Sequence, residues 1–234
     1  NLLARFKKLA NILSATTSDL IETEGISKEL ASRIRKISSQ KDSTSKFLEK
    51  ELKILEKMGG RIITVWDEDF PPLLKKIYDP PLVLYVLGQF DEKDKYSIAV
   101  VGTRQPTNYG KIQTEKIVTD LVNQNITIVS GLARGIDSAA HSSALKNNGR
   151  TIAIIGSGLD VIYPAENKKL FNEIKEKGVI ISEFNLGTLP NAENFPKRNR
   201  IISGLTLGTL VIETAITGGA MQTARLALDQ NREV

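Results

Sequence analysis

Residues 97–131 read SIAVVGTRQPTNYGKIQTEKIVTDLVNQNITIVSG, and this stretch decides the fold. It holds two short, almost wholly apolar runs, SIAVVG (97–102) and ITIVSG (126–131), on either side of a segment at 109–123 that has the apolar spacing of a helix. Runs that are apolar nearly throughout are typical of strands buried on both faces. A strand, a helix and a second such strand predict a parallel βαβ unit with a right-handed crossover.

The same alternation continues along most of the chain. Further strands are predicted at 61–66, 82–88, 151–156, 178–183 and 208–213, and further helices at 136–147, 166–177, 198–205 and 220–230. We therefore expect an α/β fold with a doubly wound, mainly parallel sheet. Ligands bind beyond the C-terminal strand ends of such a sheet. Here those ends read GTR, SGLARG, GSGLD, SEF and ETAITGG, and they are rich in Gly, Ser and Thr.

The N-terminal region follows a different pattern. Residues 1–58 are predicted to form a small all-helical domain, which leaves 59–234 as the α/β domain. Gly25 separates two short helical patterns, and Ser27 is a candidate N-cap for the second. The polar stretch SSQKDSTSK (38–46) is predicted to be a loop.

Composition limits the classes of function. The 234 residues include no cysteine, which excludes a disulfide framework and a thiolate metal site and fits a reducing compartment. No apolar run reaches the roughly 18 residues of a membrane span, and no signal-peptide pattern begins the sequence, so the expected location is cytoplasmic, with no membrane partner. The chain opens on Asn1 and ends on REV, which suits the start of another strand; we expect a fragment whose fold extends beyond Val234.

The net charge of +5 is unevenly distributed. Residues 1–60 hold 12 Lys and Arg against 8 Asp and Glu, whereas residues 61–234 hold 20 against 19. The larger part is therefore almost neutral, and a polyanion site within it must be a local cluster of cations.

The sharpest such cluster lies in FPKRNRIISG (195–204). Three cations surround one asparagine at the predicted start of a helix, where the helix dipole disfavours positive charge. Arginine forks match phosphate oxygens, and a local conflict of this kind is typical of a functional site. A further arginine, Arg104, directly follows a predicted strand. The sequence therefore predicts a ligand that carries phosphate.

Other motifs give weaker signals. GSGLDVIYP (156–164) begins like a dinucleotide fingerprint but lacks the third glycine, and no GxxxxGK[ST] occurs, so we predict no cofactor; no metal site is predicted either. His141 is expected to be a helix-packing residue, hydrogen-bonded to Asp137 four positions earlier. Glu183 and Glu213, at strand ends, lack a matching acid or nucleophile, which favours binding or scaffold roles.

Six blocks of the sequence together resemble the DNA-processing protein A (DprA, or Smf) family. In order and spacing they are VVGTRQPTNYG, SGLARGIDSAAHSSAL, GSGLDVIYPAENKKL, SEF, FPKRNRIISGL and VIETAITGGAMQTARLAL, and they cover about residues 60–234. The resemblance implies an extended Rossmann-like domain and a non-catalytic, single-stranded DNA-binding protein, which protects incoming DNA in natural transformation and helps load the RecA recombinase. It also implies a homodimer.

The resemblance further implies which residues hold the DNA phosphates. Carried over by motif, they are Gly102, Thr103, Arg104, Ser130, Gly131, Lys168, Lys169, Lys197, Arg198, Asn199 and Arg200. Phe195 and Tyr163 are candidates for stacking on bases, and Phe195 is equally a candidate for the core. The segment IETEGISKELASRI resembles the helix-hairpin-helix or sterile-alpha-motif-like module of the family, for which a phosphate contact and a partner contact both stay open.

One competing class is enzymatic. NRIISGL and LVIETAITGGAMQTA also resemble, distantly, the nucleoside monophosphate phosphoribohydrolases of the lysine-decarboxylase-like group, in which Arg198 and Glu213 would act on the nucleotide. That group carries a Pro-Gly-Gly-x-Gly-Thr turn, which this chain lacks. The chain also departs from the DprA pattern, because ITGGAMQTA stands where the family often has a compact SGSL-type turn.

Overall fold

The computed structural model describes residues 1–39 and 41–234, which form two compact units, 1–54 and 55–234. Each unit has its own hydrophobic core. Within the described residues, every helix is too short or too polar to span a bilayer.

The first unit is helical. Its elements are α1 (Leu2–Phe6), α2 (Leu9–Ser14), α3 (Thr17–Ile21), α4 (Lys28–Ser39) and most of α5 (Lys41–Lys57), whose last three residues belong to the second unit. Gly25 turns the chain ahead of α4 with a φ of +82°. The hydroxyl of Ser27 accepts a hydrogen bond from the N–H of Leu30 at 3.2 Å, so the predicted N-cap is confirmed.

The loop predicted at 38–46 is wrong for the residues that the structure describes. Helix α4 reaches Ser39 and α5 begins at Lys41, while Gln40 lies outside the described residues. The stretch contains no Gly or Pro, and its Ser, Lys and Asp residues each cost a helix at most about 0.7 kcal/mol relative to alanine. Polarity alone therefore does not stop the helices.

The second unit is a seven-stranded sheet. The strands are β1 (Gly60–Thr64), β2 (Val83–Gly88), β3 (Ser97–Gly102), β4 (Thr127–Ser130), β5 (Thr151–Ile154), β6 (Val179–Ser182) and β7 (Gly208–Ile212). Their order is β1-β2-β6-β5-β4-β3-β7. Every neighbouring pair from β6 to β7 is parallel, whereas β2 runs antiparallel to both of its neighbours. The predicted mainly parallel, doubly wound sheet is confirmed.

Helices cover both faces of this sheet. They are α6 (Asn108–Asn123), α7 (Ile136–Lys146), α8 (Lys168–Lys177), α9 (Asn194–Gly204) and α10 (Gly219–Asp229). Alternate side chains of β3 point to opposite faces: Val101 packs in one core with Ile202 of α9 and Ala220 of α10, and Val100 packs in another with Val118 of α6 and Ala140 of α7. Strands buried on both faces explain the continuous apolar runs of the sequence.

Two details at the ends of elements bear on the site. Helix α9 begins at Asn194, four residues before its predicted start, because Pro196 fits in the first turn of a helix, where its missing N–H has no intrahelical partner to lose. The cations of KRNR therefore lie beyond the first helical residues, where the dipole acts more weakly. Near the end of the sequence, Glu233 forms an isolated parallel bridge with Gly208 of β7, so REV pairs with the sheet without forming a strand within the described residues.

Candidate functional site

The chain changes direction across the sheet at β3. Strands β4, β5 and β6 are added successively on one side of β3, and the chain then crosses back to place β7 on the other side. The loops that leave β3 and β7 consequently diverge and open a crevice at the carboxyl ends of the strands. This switch point is where α/β sheets of this kind bind their ligands.

A cavity of about 600 Å³ occupies this crevice. Its walls come from the end of β3, the start of α7, the segment leading into α9, α9 itself and the β7–α10 connection. The lining residues are Val101, Gly102, Thr103, Arg104, Ala133, Asp137, Tyr163, Pro190, Ala192, Phe195, Pro196, Arg198, Asn199, Ile202, Thr214, Ala215, Gly218, Gly219, Ala220, Gln222 and Thr223.

The end of β3 is held tightly against its neighbours. A Cβ at Gly102 would lie 2.0 Å from the carbonyl oxygen of Ile212, so only glycine fits beside β7 here. The N–H of Thr103 donates to the carbonyl of Glu213 at 2.7 Å, and the carbonyl of Thr103 accepts from the N–H of Ile136 at 3.1 Å. These contacts fix the loop that presents the exposed side chain of Arg104 to the cavity.

Arg198 is the most unusual residue of the cavity. Only 4% of its surface is exposed, and its Nε and Nη1 atoms are buried without a hydrogen-bond partner among the described residues. Burial lowers the pKa of Arg198 to about 10; the carboxylate of Asp137 acts in the opposite direction, and Arg104 lowers it further. The guanidinium nevertheless stays charged at neutral pH. Arg198 is thus a desolvated cation with unused hydrogen-bond donors.

Glycine at position 131 makes room for this guanidinium. A Cβ on Gly131 would lie 1.5 Å from Nη1 of Arg198, well inside any permitted contact. Asp137 secures the surrounding turn, because its carboxylate accepts hydrogen bonds from the N–H groups of Gly131 and Ala133 at 3.2 and 3.3 Å. Burial raises the pKa of Asp137, although Arg198 and these amides oppose the rise.

Both arginines of the cavity lie close to one aromatic side chain. The guanidinium carbons of Arg104 and Arg198 lie 5.4 and 5.9 Å from the centre of the Phe195 ring, within the range of cation–π attraction. The ring of Tyr163 lies 5.8 Å from that of Phe195, at a tilt of 44°. Phe195 is half-buried and lines the cavity, so it is partly core and partly accessible to a ligand.

The structure brings some of the predicted site residues together and separates others. Gly102, Thr103, Arg104, Arg198 and Asn199 line the cavity, and Gly131 contacts Arg198 and lines a small adjoining pocket.

The remaining predicted residues lie off the cavity wall. The Ser130 hydroxyl is buried and donates to the Val100 carbonyl at 2.6 Å. Lys168, Lys169 and Lys197 are exposed, and none of them lines the cavity.

Arg200 belongs to a different surface from Arg198. Its Nε lies 3.2 Å from a carboxylate oxygen of Asp79, and its Nη2 lies 2.6 Å from one of Glu183. It therefore has anionic partners within the protein, and it does not line the cavity.

The carboxylate of Glu213 and the ring of His141 both have structural partners. The Glu213 carboxylate accepts hydrogen bonds from the Thr107 N–H, at 2.8 Å, and from its hydroxyl, which lowers the pKa of Glu213; Glu213 does not line the cavity. His141 is buried, with Nδ1 2.6 Å from the Thr151 hydroxyl. The packing role of His141 is confirmed, but the partner predicted for it, Asp137, is wrong. Burial lowers the pKa of His141 to about 3, so the ring is neutral.

One wall of the cavity was not assigned from the sequence. It consists of Thr214, Ala215, Gly218, Gly219, Ala220, Gln222 and Thr223, from the β7–α10 connection and the first turns of α10. A signal was present, because ETAITGG follows a predicted strand and is rich in Gly and Thr. Only the strand order shows that this loop faces the loop after β3.

A doubly wound sheet with a cationic cavity at its switch point is typical of Rossmann-like proteins that bind anionic groups at the carboxyl ends of their strands. Within that class, the profile of the DNA recombination-mediator protein A family matches residues 61–234, and the chain belongs to this family. The resemblance stated for the six blocks is therefore confirmed.

Individual relatives agree with this assignment. Protein Smf of Synechocystis sp. is 43% identical over an alignment of 235 positions, which covers 98% of this chain and 57% of that protein. The X-ray structure of DNA processing protein A from Streptococcus pneumoniae matches with a TM-score of 0.83 and 34% identity, over 99% of this chain and 77% of that one. DNA processing protein A from Helicobacter pylori, studied for its unique single-stranded DNA binding mode, matches with a TM-score of 0.66 and 32% identity, over 74% of this chain and 78% of that one. The chain spans little more than half the length of the Synechocystis relative.

Proposed function

We propose that the protein binds single-stranded DNA by holding its phosphates in the cavity at the switch point, and that it does so without catalysing a reaction. The observation that carries this proposal is Arg198, a buried cation whose Nε and Nη1 have no partner among the described residues. Burying a charged group without partners costs several kcal/mol, and an incoming anion removes much of that cost.

Phosphate suits the geometry of the cavity. The guanidinium group is a planar fork that binds two phosphate oxygens at once, and Arg104 supplies a second fork on the same cavity. Asn199 adds a neutral amide to the wall. Contacts of this kind are blind to base sequence, which suits a protein that meets arbitrary DNA.

The cavity favours a single strand over a duplex. Arg198 is almost wholly buried, so only a backbone that can bend into the crevice reaches it. Duplex DNA is stiff over about 50 nm, whereas a single strand bends at every nucleotide. Phe195 and Tyr163 line the same cavity and offer surfaces on which unpaired bases stack.

The wider biological role is proposed from the family resemblance. The similar Helicobacter pylori protein was studied for its single-stranded DNA binding mode, and this supports the same ligand here. Protection of incoming DNA in natural transformation, loading of RecA and a homodimeric, cytoplasmic form are parts of the proposal that rest on the family resemblance.

The geometry favours binding over phosphoribohydrolase chemistry. In the enzymatic alternative Glu213 would act on a nucleotide beside Arg198, but its carboxylate is engaged with Thr107 and does not line the cavity. Incubation with nucleoside monophosphates is accordingly expected to release no free base. Base release that disappears in Glu213→Ala would overturn the non-catalytic assignment.

Competition between oligonucleotides tests the proposed ligand directly. Fluorescent oligo-dT is bound to the protein and then displaced by unlabelled single-stranded or double-stranded DNA of the same length. We expect the single strand to displace the probe at a much lower concentration. Equal displacement by both forms, or failure of oligo-dT to bind at all, contradicts the proposal.

A further inference from the structure

The N-terminus of α10 forms part of the cavity wall and has hydrogen-bond donors to spare. Gly218 is the N-cap, with φ −70° and ψ 156°, and it makes no side-chain cap hydrogen bond. The N–H of Gly218 donates to the carbonyl of Ala215, and that of Met221 to the carbonyl of Gly218. The two N–H groups between them, of Gly219 and Ala220, have no acceptor in the described part of the chain.

The surroundings of Gly219 are open on the side where a side chain would stand. A Cβ added to Gly219 would meet no atom within 4 Å, and Gly219 and Ala220 both line the cavity. Another helix that starts beside the same crevice is closed by side chains: the N-terminus of α6 is capped by Thr107, which is itself held by Glu213. The start of α10 is therefore open towards the cavity, where an anion can approach it.

A second, independent feature points to an anionic ligand in the same space. Arg198 lines this cavity from α9, is almost wholly buried, and has two nitrogens without an acceptor. Free amides at a helix N-terminus and a desolvated guanidinium both lack an acceptor, and both favour negative charge. They can therefore donate hydrogen bonds to the same anionic group.

We propose that the N-terminus of α10 is a phosphate subsite of the cavity, in which the N–H groups of Gly219 and Ala220 donate to oxygens of a DNA phosphate. This inference rests on the proposed single-stranded DNA binding and adds to it a binding element that carries no formal charge. The subsite contributes hydrogen bonds and the helix dipole. It therefore raises the affinity for DNA without changing the number of counterions that the DNA releases on binding.

A proline at position 219 tests the backbone N–H group on its own, without changing the charge of the protein. Position 219 is the first residue of α10, where proline is well tolerated because its fixed φ suits the helix, and the extended ψ of Gly218 suits a residue before proline. Gly219→Pro removes the N–H and puts a methylene group in its place. Gly219→Ala is the matched reference, because it adds a Cβ but keeps the N–H.

The two variants and the parent protein are titrated with oligo-dT at several salt concentrations. We expect Gly219→Pro to bind at least about tenfold more weakly than Gly219→Ala, since a hydrogen bond to a charged group is lost. The slope of log affinity against log salt should be the same for both variants, because no cation is removed. Equal affinities for Gly219→Pro and Gly219→Ala overturn the subsite. If the parent protein itself fails to bind oligo-dT, the proposed function falls instead.

A second substitution decides the matter even if the proline variant folds poorly. Gly219→Asp places a carboxylate in the first turn of α10, where it stabilises the helix but repels phosphate. We expect its melting temperature to be at least that of Gly219→Asn, its neutral counterpart, and its affinity for oligo-dT to be lower by about tenfold or more, as expected when a charge-assisted hydrogen bond is lost. An affinity equal to that of Gly219→Asn overturns the subsite.

Discussion

Replacing Arg198 by methionine removes the buried guanidinium while keeping an unbranched side chain of similar length. If Arg198 holds a DNA phosphate, the variant loses at least one charge-assisted hydrogen bond, which contributes about 1.5–3 kcal/mol and corresponds to a loss of affinity of about tenfold to a hundredfold. Each cation that neutralises a phosphate of a single strand also contributes about −0.7 to the slope of log affinity against log salt. Arg104 and Arg198 both line the cavity, so together they account for about −1.4 of the slope.

Arg200→Met supplies a control on the same helix. Arg200 lies two residues further along α9 and is paired with Asp79 and Glu183, away from the cavity lining. Both substitutions remove one positive charge, so the effect on the net charge of the protein is identical. Fluorescence anisotropy with oligo-dT at four or more salt concentrations then separates a phosphate contact from a general loss of charge.

The folding of the Arg198→Met variant is checked in the absence of DNA. Arg198 opposes the rise in the pKa of the buried Asp137 carboxylate, so the variant leaves that carboxylate without this compensating charge. Removing one partner of a buried charge pair costs about 3–5 kcal/mol, and we expect a loss near the lower end of this range because backbone amides still hold Asp137. If Arg198→Met is folded and keeps the affinity and the salt slope of Arg200→Met, the cavity does not hold the phosphates.

Three further substitutions test single features of the site and its surroundings. Gly131→Ala should displace the Arg198 guanidinium, because the added Cβ would lie 1.5 Å from Nη1. We expect the affinity for oligo-dT to fall towards that of Arg198→Met. An affinity equal to that of the parent protein would show that the guanidinium tolerates the shift. His141 has a folded pKa of about 3, below its usual value, so the unfolded state binds the proton first and stability falls by about 1.4 kcal/mol per pH unit from about pH 6.5 towards pH 3. Denaturant titrations between pH 7 and pH 4 should show this loss in the parent and a smaller one in His141→Gln; equal pH dependence would contradict the buried neutral ring. Glu213→Ala should lower the free energy of unfolding, because the N–H and hydroxyl of Thr107 lose their acceptor, and should leave oligo-dT affinity unchanged; a fall in affinity would place Glu213 in the binding site.

The sheet could be predicted from the sequence because its strands are buried on both faces. A run such as SIAVVG has no polar alternation, and the helix that follows it has a period that a strand cannot accommodate. The start of α9 is harder to predict, since Pro196 lies within the first turn of the helix rather than ahead of it. Because the predicted start is four residues too late, the sequence places the cations of KRNR at the helix N-terminus, whereas in the structure they lie beyond its first residues.

The same helix explains why the cluster KRNR does not form one pocket. Residues two apart on a helix project to nearly opposite sides, so Arg198 and Arg200 cannot both face the same cavity. The structure shows this separation, with Arg198 buried against Gly131 and Arg200 paired with Asp79 and Glu183. Charge density in the sequence indicates that an anion site exists, but the helical register decides which cation serves it. No local pattern contains the contact between Arg198 and Gly131, because these two residues are 67 positions apart in the sequence and only the order of the strands brings them together.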